Sequence, residues 1–201
     1  MFQKINDLET PQIYHHLVHA VVPRPIAWVS TLNKAGVSNI SPYSFFSVAS
    51  VNPPVLTVTS VPTRDKLVKD THQNLLETKE CVVNIVTEEL ADMMNASCAN
   101  YPAGTSEIDA LGIPILASEL VKPLGVAQAK VRFECQLRET IELTNKPAGG
   151  ILILLDVIGI HVDESISTGQ QIDGSKLNAI GKLGGNDYCK LRDQISIDRP
   201  A

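Results

Sequence analysis

A mainly β chain, a β-barrel with a few helices, is the fold class this sequence predicts. Short β-rich runs recur along it with turn residues between them, they do not alternate regularly with helical segments, and no G-x-G-x-x-G follows any of them. The last two features argue against a doubly wound sheet and against a separate dinucleotide-binding domain. Strands are expected over residues 27–32, 37–40, 44–50, 55–60, 81–86, 129–141 and 150–162. Asn33, Lys34, Ala35 and Gly36 supply the turn that folds the first strand onto the second. Pro42 has no N–H to donate and is expected to end that ladder. The plainest alternation is in residues 130–138: Val131, Phe133, Cys135 and Leu137 share one side, while Lys130, Arg132, Glu134, Gln136 and Arg138 share a face expected to be wet. Helices are expected over residues 63–78, with Leu67, Val68, Leu75 and Leu76 as the apolar stripe, and over 87–98, opened by Thr87 with Glu88 and Glu89 in the first turn. A short turn is expected at Ser106, which precedes Asp109 at capping spacing.

Composition sets the outer limits. The chain has 201 residues, 44% of them hydrophobic and 19% charged, with a formal net charge of −5. That length suits a single domain over residues 1–201, with its core at about 23–192, and no repeat or linker divides it. Nucleic acid is disfavoured as a partner, because phosphate backbones reward runs of Lys and Arg and none is present. No apolar run approaches the ~20 residues that span a bilayer, and the polar opening MFQKINDLETPQ is not a secretory leader. The expected location is the cytoplasm, with no membrane partner. Cys81, Cys98, Cys135 and Cys189 show no C-x-x-C spacing and are read as reduced thiols filling space. His15 and His19 stand four apart, but without a third ligand they are read as structural or solvated. His161 is read as a partly buried histidine bonded to backbone, and His72 follows Thr71.

The stretch RPIAWVSTLNKAGVSNISPYSFFS, residues 24–47, sets a strand, a turn and a hydroxyl-rich bend in succession. Ser38, Asn39, Ser41, Tyr43, Ser44 and Ser47 surround Pro42 there, with Tyr43 and Phe45 as aromatic neighbours. With Asn52-Pro53-Pro54, Lys69-Asp70-Thr71 and Leu183-Gly184-Gly185, this stretch resembles the flavin reductase-like proteins, over roughly residues 23–192. The resemblance implies an FMN-binding split barrel of Greek-key antiparallel strands. It places the cofactor against Ser30 and Thr31, the bend Ser41, Pro42, Tyr43 and Ser44, and Ser60. Arg64 and Lys69 would serve as phosphate cations, with Asp70 and Thr71 completing the Lys-Asp-Thr motif. Taken singly, Ser and Thr at strand ends are more often turn formers. Trp28 fits two roles, a core aromatic or a wall of the flavin pocket. Lys182, Leu183, Gly184 and Tyr188 resemble the closing Gly-Arg-Leu-Gly-Gly plus Tyr motif, with Lys where Arg is common, so that glycine backbone approaches a planar ligand; a surface turn is the alternative.

The sequence holds no catalytic triad, paired-carboxylate spacing or metal cluster, which suits a flavoprotein because the cofactor performs the redox chemistry. The resemblance implies an NAD(P)H-dependent flavin reductase in which NADH or NADPH gives a hydride to noncovalent FMN, and electrons pass on to a second acceptor or a partner monooxygenase. The reductase branch carries a Gly-Asp-His run on a late strand, whereas here Asp156 lies in LLDVIG and His161 follows Gly159-Ile160. The alternative is a flavoredoxin-like electron carrier that serves a redox partner protein and has little intrinsic reductase activity. The resemblance also implies a homodimer with the cofactor near the subunit interface. One outcome tests the phosphate assignment. Lys69→Ala is expected to cost FMN binding about 1.5–3 kcal/mol, the worth of a charge-assisted contact, with little change in unfolding free energy. Equal FMN affinity of mutant and wild type would remove Lys69 from the site.

Overall fold

The turn after the first strand forms as its residues dictate. In the computed structural model, which describes residues 1–62, 69–99, 101–102 and 104–200, Asn33 Oδ1 accepts from the N–H groups of Ala35 and Val37, both at 2.9 Å, and Gly36 takes φ +82°. This folds β1 (Ala27–Leu32) onto β2 (Ser38–Tyr43), from the pair Leu32↔Ser38 to the pair Ala27↔Tyr43.

Pro42 does not end the ladder, contrary to its lack of a donor; it lies inside β2, opposite Trp28. The reason is that β2 is an edge strand. Its outward N–H at Ile40 is bonded to Glu107 Oε2 at 3.1 Å, and two residues on, where the next N–H would point outward, Pro42 leaves nothing to satisfy.

β3 (Phe46–Val51) and β4 (Pro54–Ser60) form the next hairpin, followed by α2 (Asp70–Thr78) and β5 (Glu80–Ile85). α3 (Ala91–Ala96) is preceded by a 3-10 turn at Glu88–Leu90, and α4 (Glu107–Leu111) is capped by Ser106, whose Oγ accepts from Asp109 N at 3.2 Å. β6 (Ile115–Leu116) pairs with β7 (Gly125–Val126), ahead of the long strands β8 (Val131–Glu142) and β9 (Ile151–Val162). A small hairpin, β10 (Ser167–Thr168) with β11 (Gln171–Ile172), and the short α5 (Gly174–Leu177) lead to β12 (Ile180–Lys182) and β13 (Tyr188–Lys190). The predicted helix over 63–78 is seen from Asp70 onward, and residues 63–68 lie outside the described residues. One helix the strand pattern did not predict opens the chain, α1 (Thr10–Ala20), started by a reciprocal capping box between Glu9 and Gln12 with Pro11 in its first turn.

The large sheet runs β2-β1-β5-β8-β9-β4-β3, antiparallel at every pairing. The strands at its two ends, β2 and β3, are neighbours in sequence, and the sheet curls so that β2 also reaches β4. Inside the curl, Ala27, Val29, Tyr43, Leu56, Val58, Val83, Cys135, Ile153 and Leu155 form one core. The opposite face of β1 carries Trp28, which joins Ile40, Leu90, Met94, Ile108, Val126 and Ile180 in a second core beneath α3 and α4. Each fully buried aliphatic side chain contributes about 1.5–3 kcal/mol, so both faces of β1 hold the fold.

The face of β8 expected to be wet is dry at its centre. Glu134 is 1% exposed, because residues 119–121 lie over it and donate three backbone N–H groups to its carboxylate at 2.9, 2.6 and 3.2 Å. His161 Nε2 lies 2.5 Å from Glu134 Oε1, so its partner is this carboxylate where a backbone group was expected. Burial pushes the Glu134 carboxyl up, but the Glu119 N–H, His161 and the Leu120 N–H together outweigh it and leave the group below the ordinary carboxyl range. A depressed folded value means that its stabilisation is complete above the ordinary carboxyl range and drains away as pH falls through that folded value. Glu134→Ala is expected to lose about 1–3 kcal/mol at neutral pH, because it leaves the backbone N–H groups of residues 119–121 without their acceptor. Urea melts at descending pH are expected to show this deficit shrinking in acid; a deficit independent of pH would mean that the carboxylate charge is not what holds residues 119–121.

Candidate functional site

Ser44 and Phe45 turn the chain from β2 into β3, at the point where the sheet closes. Phe45 O accepts from Thr59 N at 2.8 Å, which ties this corner to the end of β4. Beside the corner opens a cleft of about 720 Å³, within the size range of cofactor sites. Its floor is Pro42, Tyr43, Ser44 and Phe45. Thr59, Val61 and Pro62 form one side with Lys69, and Pro147 and Ala148 of the β8–β9 turn close the end. Thr10, Pro11 and Tyr14 of α1 make the remaining wall. The walls are flat and mostly apolar; Lys69 is the one charged lining residue among those described, and it stands 5.1 Å from the centre of the Tyr43 ring.

Tyr43 is nearly buried, and burial pushes its phenol well above the usual range, so it stays neutral at any physiological pH. Its hydroxyl has no hydrogen-bond partner among the described residues, and Thr71 is its neighbour. Thr71 is itself buried and donates to Asn39 Oδ1 at 2.9 Å, while Asn39 donates to both carboxylate oxygens of Glu107 at 3.0 Å. Burial raises the Glu107 carboxyl against the opposing pull of these donors.

The predicted site residues divide into three groups. Pro42, Tyr43, Ser44 and Lys69 meet in the cleft, and Asp70 and Ser60 adjoin it in sequence: Asp70 opens α2, and Ser60 is buried next to Thr59. Ser41 is half-buried on β2 opposite Val29, outside the cleft lining. Arg64 lies outside the described residues.

The second group is engaged inside the protein. Ser30 Oγ donates to Leu124 O at 2.5 Å, Thr31 Oγ1 accepts from Asn74 at 3.0 Å, and Thr71 is committed to Asn39. Trp28 is fully buried, outside the cleft lining, and donates to Ser97 Oγ at 2.9 Å.

The third group forms the turn between β12 and β13. Lys182 Nζ donates to Gly185 O at 2.6 Å and sits 4.0 Å from the Tyr188 ring centre. Gly184 approaches a planar group, but that group is the chain's own His19 imidazole; a Cβ there would lie 2.0 Å from His19 Nε2. The charges of Lys69 and Lys182 both act on Cys98, pulling its thiol down against the raising effect of its partial burial. Cys98 is exposed, so it is not a space-filling thiol, unlike the buried Cys81 and Cys135. Among the described residues no group of His, Cys, Asp and Glu is arranged to hold a metal ion.

Sequence reasoning missed the α1 wall and Arg24. The first was legible, because Glu9-Thr-Pro-Gln12 is a helix-start signature. Arg24 is buried behind the corner with its Nε 3.4 Å from Ser44 Oγ, and its contacts join the end of α1 just before it to Ser44 and Leu183, which are distant in sequence.

The curled antiparallel sheet is the fold of the split-barrel flavin reductases. The chain superposes on a split-barrel flavin reductase from Shewanella frigidimarina NCIMB 400 with TM-score 0.85, at 21% identity, covering 100% of this chain and 99% of that one. The sequence profile of the flavin reductase like domain matches residues 19–173, and the chain belongs to that family. It is similar to nitrilotriacetate monooxygenase component B from Bacillus cereus, with TM-score 0.93 and 32% identity, covering 98% of each chain. It is also similar to the 2-nitrobenzoate 2-nitroreductase of Pseudomonas fluorescens, with TM-score 0.90 and 25% identity, covering 100% of this chain and 96% of the other.

The contact between Gly184 and His19 is directly testable. Gly184→Ala is expected to push the His19 ring aside and cost about 1–3 kcal/mol of stability, the usual price of overpacking. Adding His19→Ala is expected to recover most of that loss in denaturant melts; no recovery would mean that the strain lies elsewhere.

Proposed function

We propose that the protein is an FMN-dependent oxidoreductase: it holds FMN noncovalently in the corner cleft, takes a hydride from NADH or NADPH, and passes the electrons to a second acceptor. The observation that carries this reading is the cleft itself, which sets Lys69 and the hydroxyl residues Ser44 and Thr59 among flat apolar walls in a chain of the flavin reductase like family. The residues fit the group. A phosphate calls for a cation and small donors, and an isoalloxazine ring calls for apolar walls such as Pro11, Tyr14, Phe45 and Pro62. FMN, when bound, supplies the hydride-accepting and electron-releasing chemistry. The chain's part is to bind and orient: Lys69 and Ser44 line the cleft, and α1 with the 147–148 turn bounds it.

An oxygenase component and a nitroreductase among the similar structures support an acceptor outside the chain, either a partner monooxygenase or a small organic molecule. A homodimer is part of the proposal. α1 buries only Val18 and leaves Tyr14 and Leu17 exposed, as is Val21 just after it, and Val48 and Val51 of β3 are exposed as well, apolar surface that a second copy would cover. A reducing, cytoplasmic setting accords with the four free thiols, and no described helix is long and apolar enough to cross a membrane.

Anaerobic titration of the FMN-reconstituted protein with NADH and then NADPH, followed by visible absorption, tests the proposal. Bleaching of bound flavin by one nicotinamide is the expected result. Bound flavin that neither nicotinamide reduces would replace the reductase with the electron carrier, and failure to bind FMN would overturn the reading.

A further inference from the structure

Arg24 is only 6% exposed, yet it makes no ion pair among the described residues. Its Nη1 donates to Val18 O at 2.6 Å and Val21 O at 2.8 Å at the end of α1, and its Nη2 donates to Leu183 O at 2.8 Å. Its Nε lies 3.4 Å from Ser44 Oγ, and its Cζ lies 5.9 Å from the centre of the Phe45 ring. Backbone pairing fixes it further: Arg24 N donates to Lys182 O at 3.0 Å, and Lys182 N donates to Arg24 O at 2.8 Å.

Two consequences follow from this geometry. A planar guanidinium bonded to α1, to the 183–188 turn and to the corner holds three segments remote in sequence in one arrangement, and two of them, α1 and the corner, wall the cleft. A buried cation usually has a carboxylate beside it. Here carbonyl dipoles solvate it, so its positive charge stands one residue layer behind Ser44 and Phe45.

We propose that Arg24 is the positioning residue of the cleft: it locks the Ser44–Phe45 wall to α1, and its uncompensated charge favours an anionic over a neutral state of the ring bound there. The second half rests on the FMN reading. Hydride transfer from a nicotinamide breaks its C–H bond, forms a bond to the flavin ring with both electrons, leaves NAD(P)⁺, and gives the ring one negative charge. That charge is what a cation behind the wall stabilises.

The test uses the full chain with Arg24→Lys, Arg24→Gln and Ser44→Ala. Amide hydrogen exchange is measured without flavin, and dissociation constants are measured for oxidised FMN and for FMN reduced with dithionite. Exchange at residues 18–21 and 44–45 is expected to rise at least tenfold in both Arg24 variants. Arg24→Lys, which keeps the charge, is expected to hold the ratio of reduced to oxidised affinity within about twofold of wild type. Arg24→Gln is expected to lower that ratio about tenfold, equivalent to about 30 mV for a two-electron couple. An unchanged ratio in folded Arg24→Gln would overturn the electrostatic role, and unchanged exchange at residues 44–45 in both Arg24 variants would overturn the positioning role. Ser44→Ala removes only the corner's side of the contact, and so keeps the positioning role testable if Arg24→Gln does not fold; it is expected to raise exchange at Phe45, and no rise would count against the role. Wild-type protein that binds neither form of FMN would sink the cofactor reading, while the exchange data would still decide the positioning.

Discussion

Closure of the sheet between two strands adjacent in sequence governs the rest of this structure. β2 and β3 stand at opposite ends of the strand order, yet only Ser44 and Phe45 separate them. The sheet must therefore curl, and the curl is driven by burial of Tyr43 from one end against Leu56 and Val58 near the other. A corner where two strands part cannot continue the ladder, so its side chains are available for other work. The same constraint that completes the barrel core thus creates the cleft. The bond from Thr59 N to Phe45 O carries the β3–β4 pairing one residue further, into the corner.

Curling has a polar cost, and the sequence meets it with amides and hydroxyls. Asn39, Asn74 and Asn84 are all buried and all bonded: Asn84 alone bridges Trp28 O and Val126 N, each at 2.8 Å, which fastens β7 to the outer face of the barrel. A buried polar group left unmade costs about 1–3 kcal/mol, so Ser30, Thr31 and Thr71 are drawn into these networks. That explains why hydroxyls clustered in the sequence near a binding motif do not all reach the cleft. The outward N–H of Ile40, bonded to Glu107, shows the same economy at the sheet edge, and Pro42 removes the next N–H altogether.

Legibility of the fold in the sequence followed the periodicity. Strands with a clear apolar side were found to within a few residues, and Ser106 did cap a helix at the spacing that suggested it. β1 was found, but its facing was not legible, since residues 27–31 are buried on both sides of the strand. Without a polar face to set the parity, nothing in the sequence said that Trp28 and Ser30 look away from the barrel interior. The strand through Glu134 misled for the opposite reason: its parity was right, but burial of the outward face depends on residues 119–121, which bring backbone donors across it. Glycine gave a similar half-truth at Gly184, where close approach to a flat ring was right and the ring belonged to the chain itself. Of the site, the corner and Lys69 could be read from sequence. The α1 wall rests on a capping signature, and Arg24 could be recognised only once α1, the corner and the 183 turn were seen to converge on it.

The distribution of charge then separates what the molecule repels from what it admits. Its formal net charge is −5, which disfavours long polyanions as partners, an effect that screening confines to about 8–10 Å. Close to the corner the balance reverses. Lys69 stands in the cleft and Arg24 behind its wall, and Lys182 is near enough that the Arg24 charge, after burial, helps to lower its pKa. Of the carboxylates in this region, Glu107 is covered and bonded to Asn39 and Ile40, Asp187 acts on Lys182 on the turn, and Asp70 follows Lys69 at the start of α2. A small ligand with a localised anionic group would meet these cations only within the cleft, at the short distances where charges act most strongly. The local sign of charge is thus set by how the barrel closes, which brings Lys69 and Arg24 to one corner from segments apart in sequence.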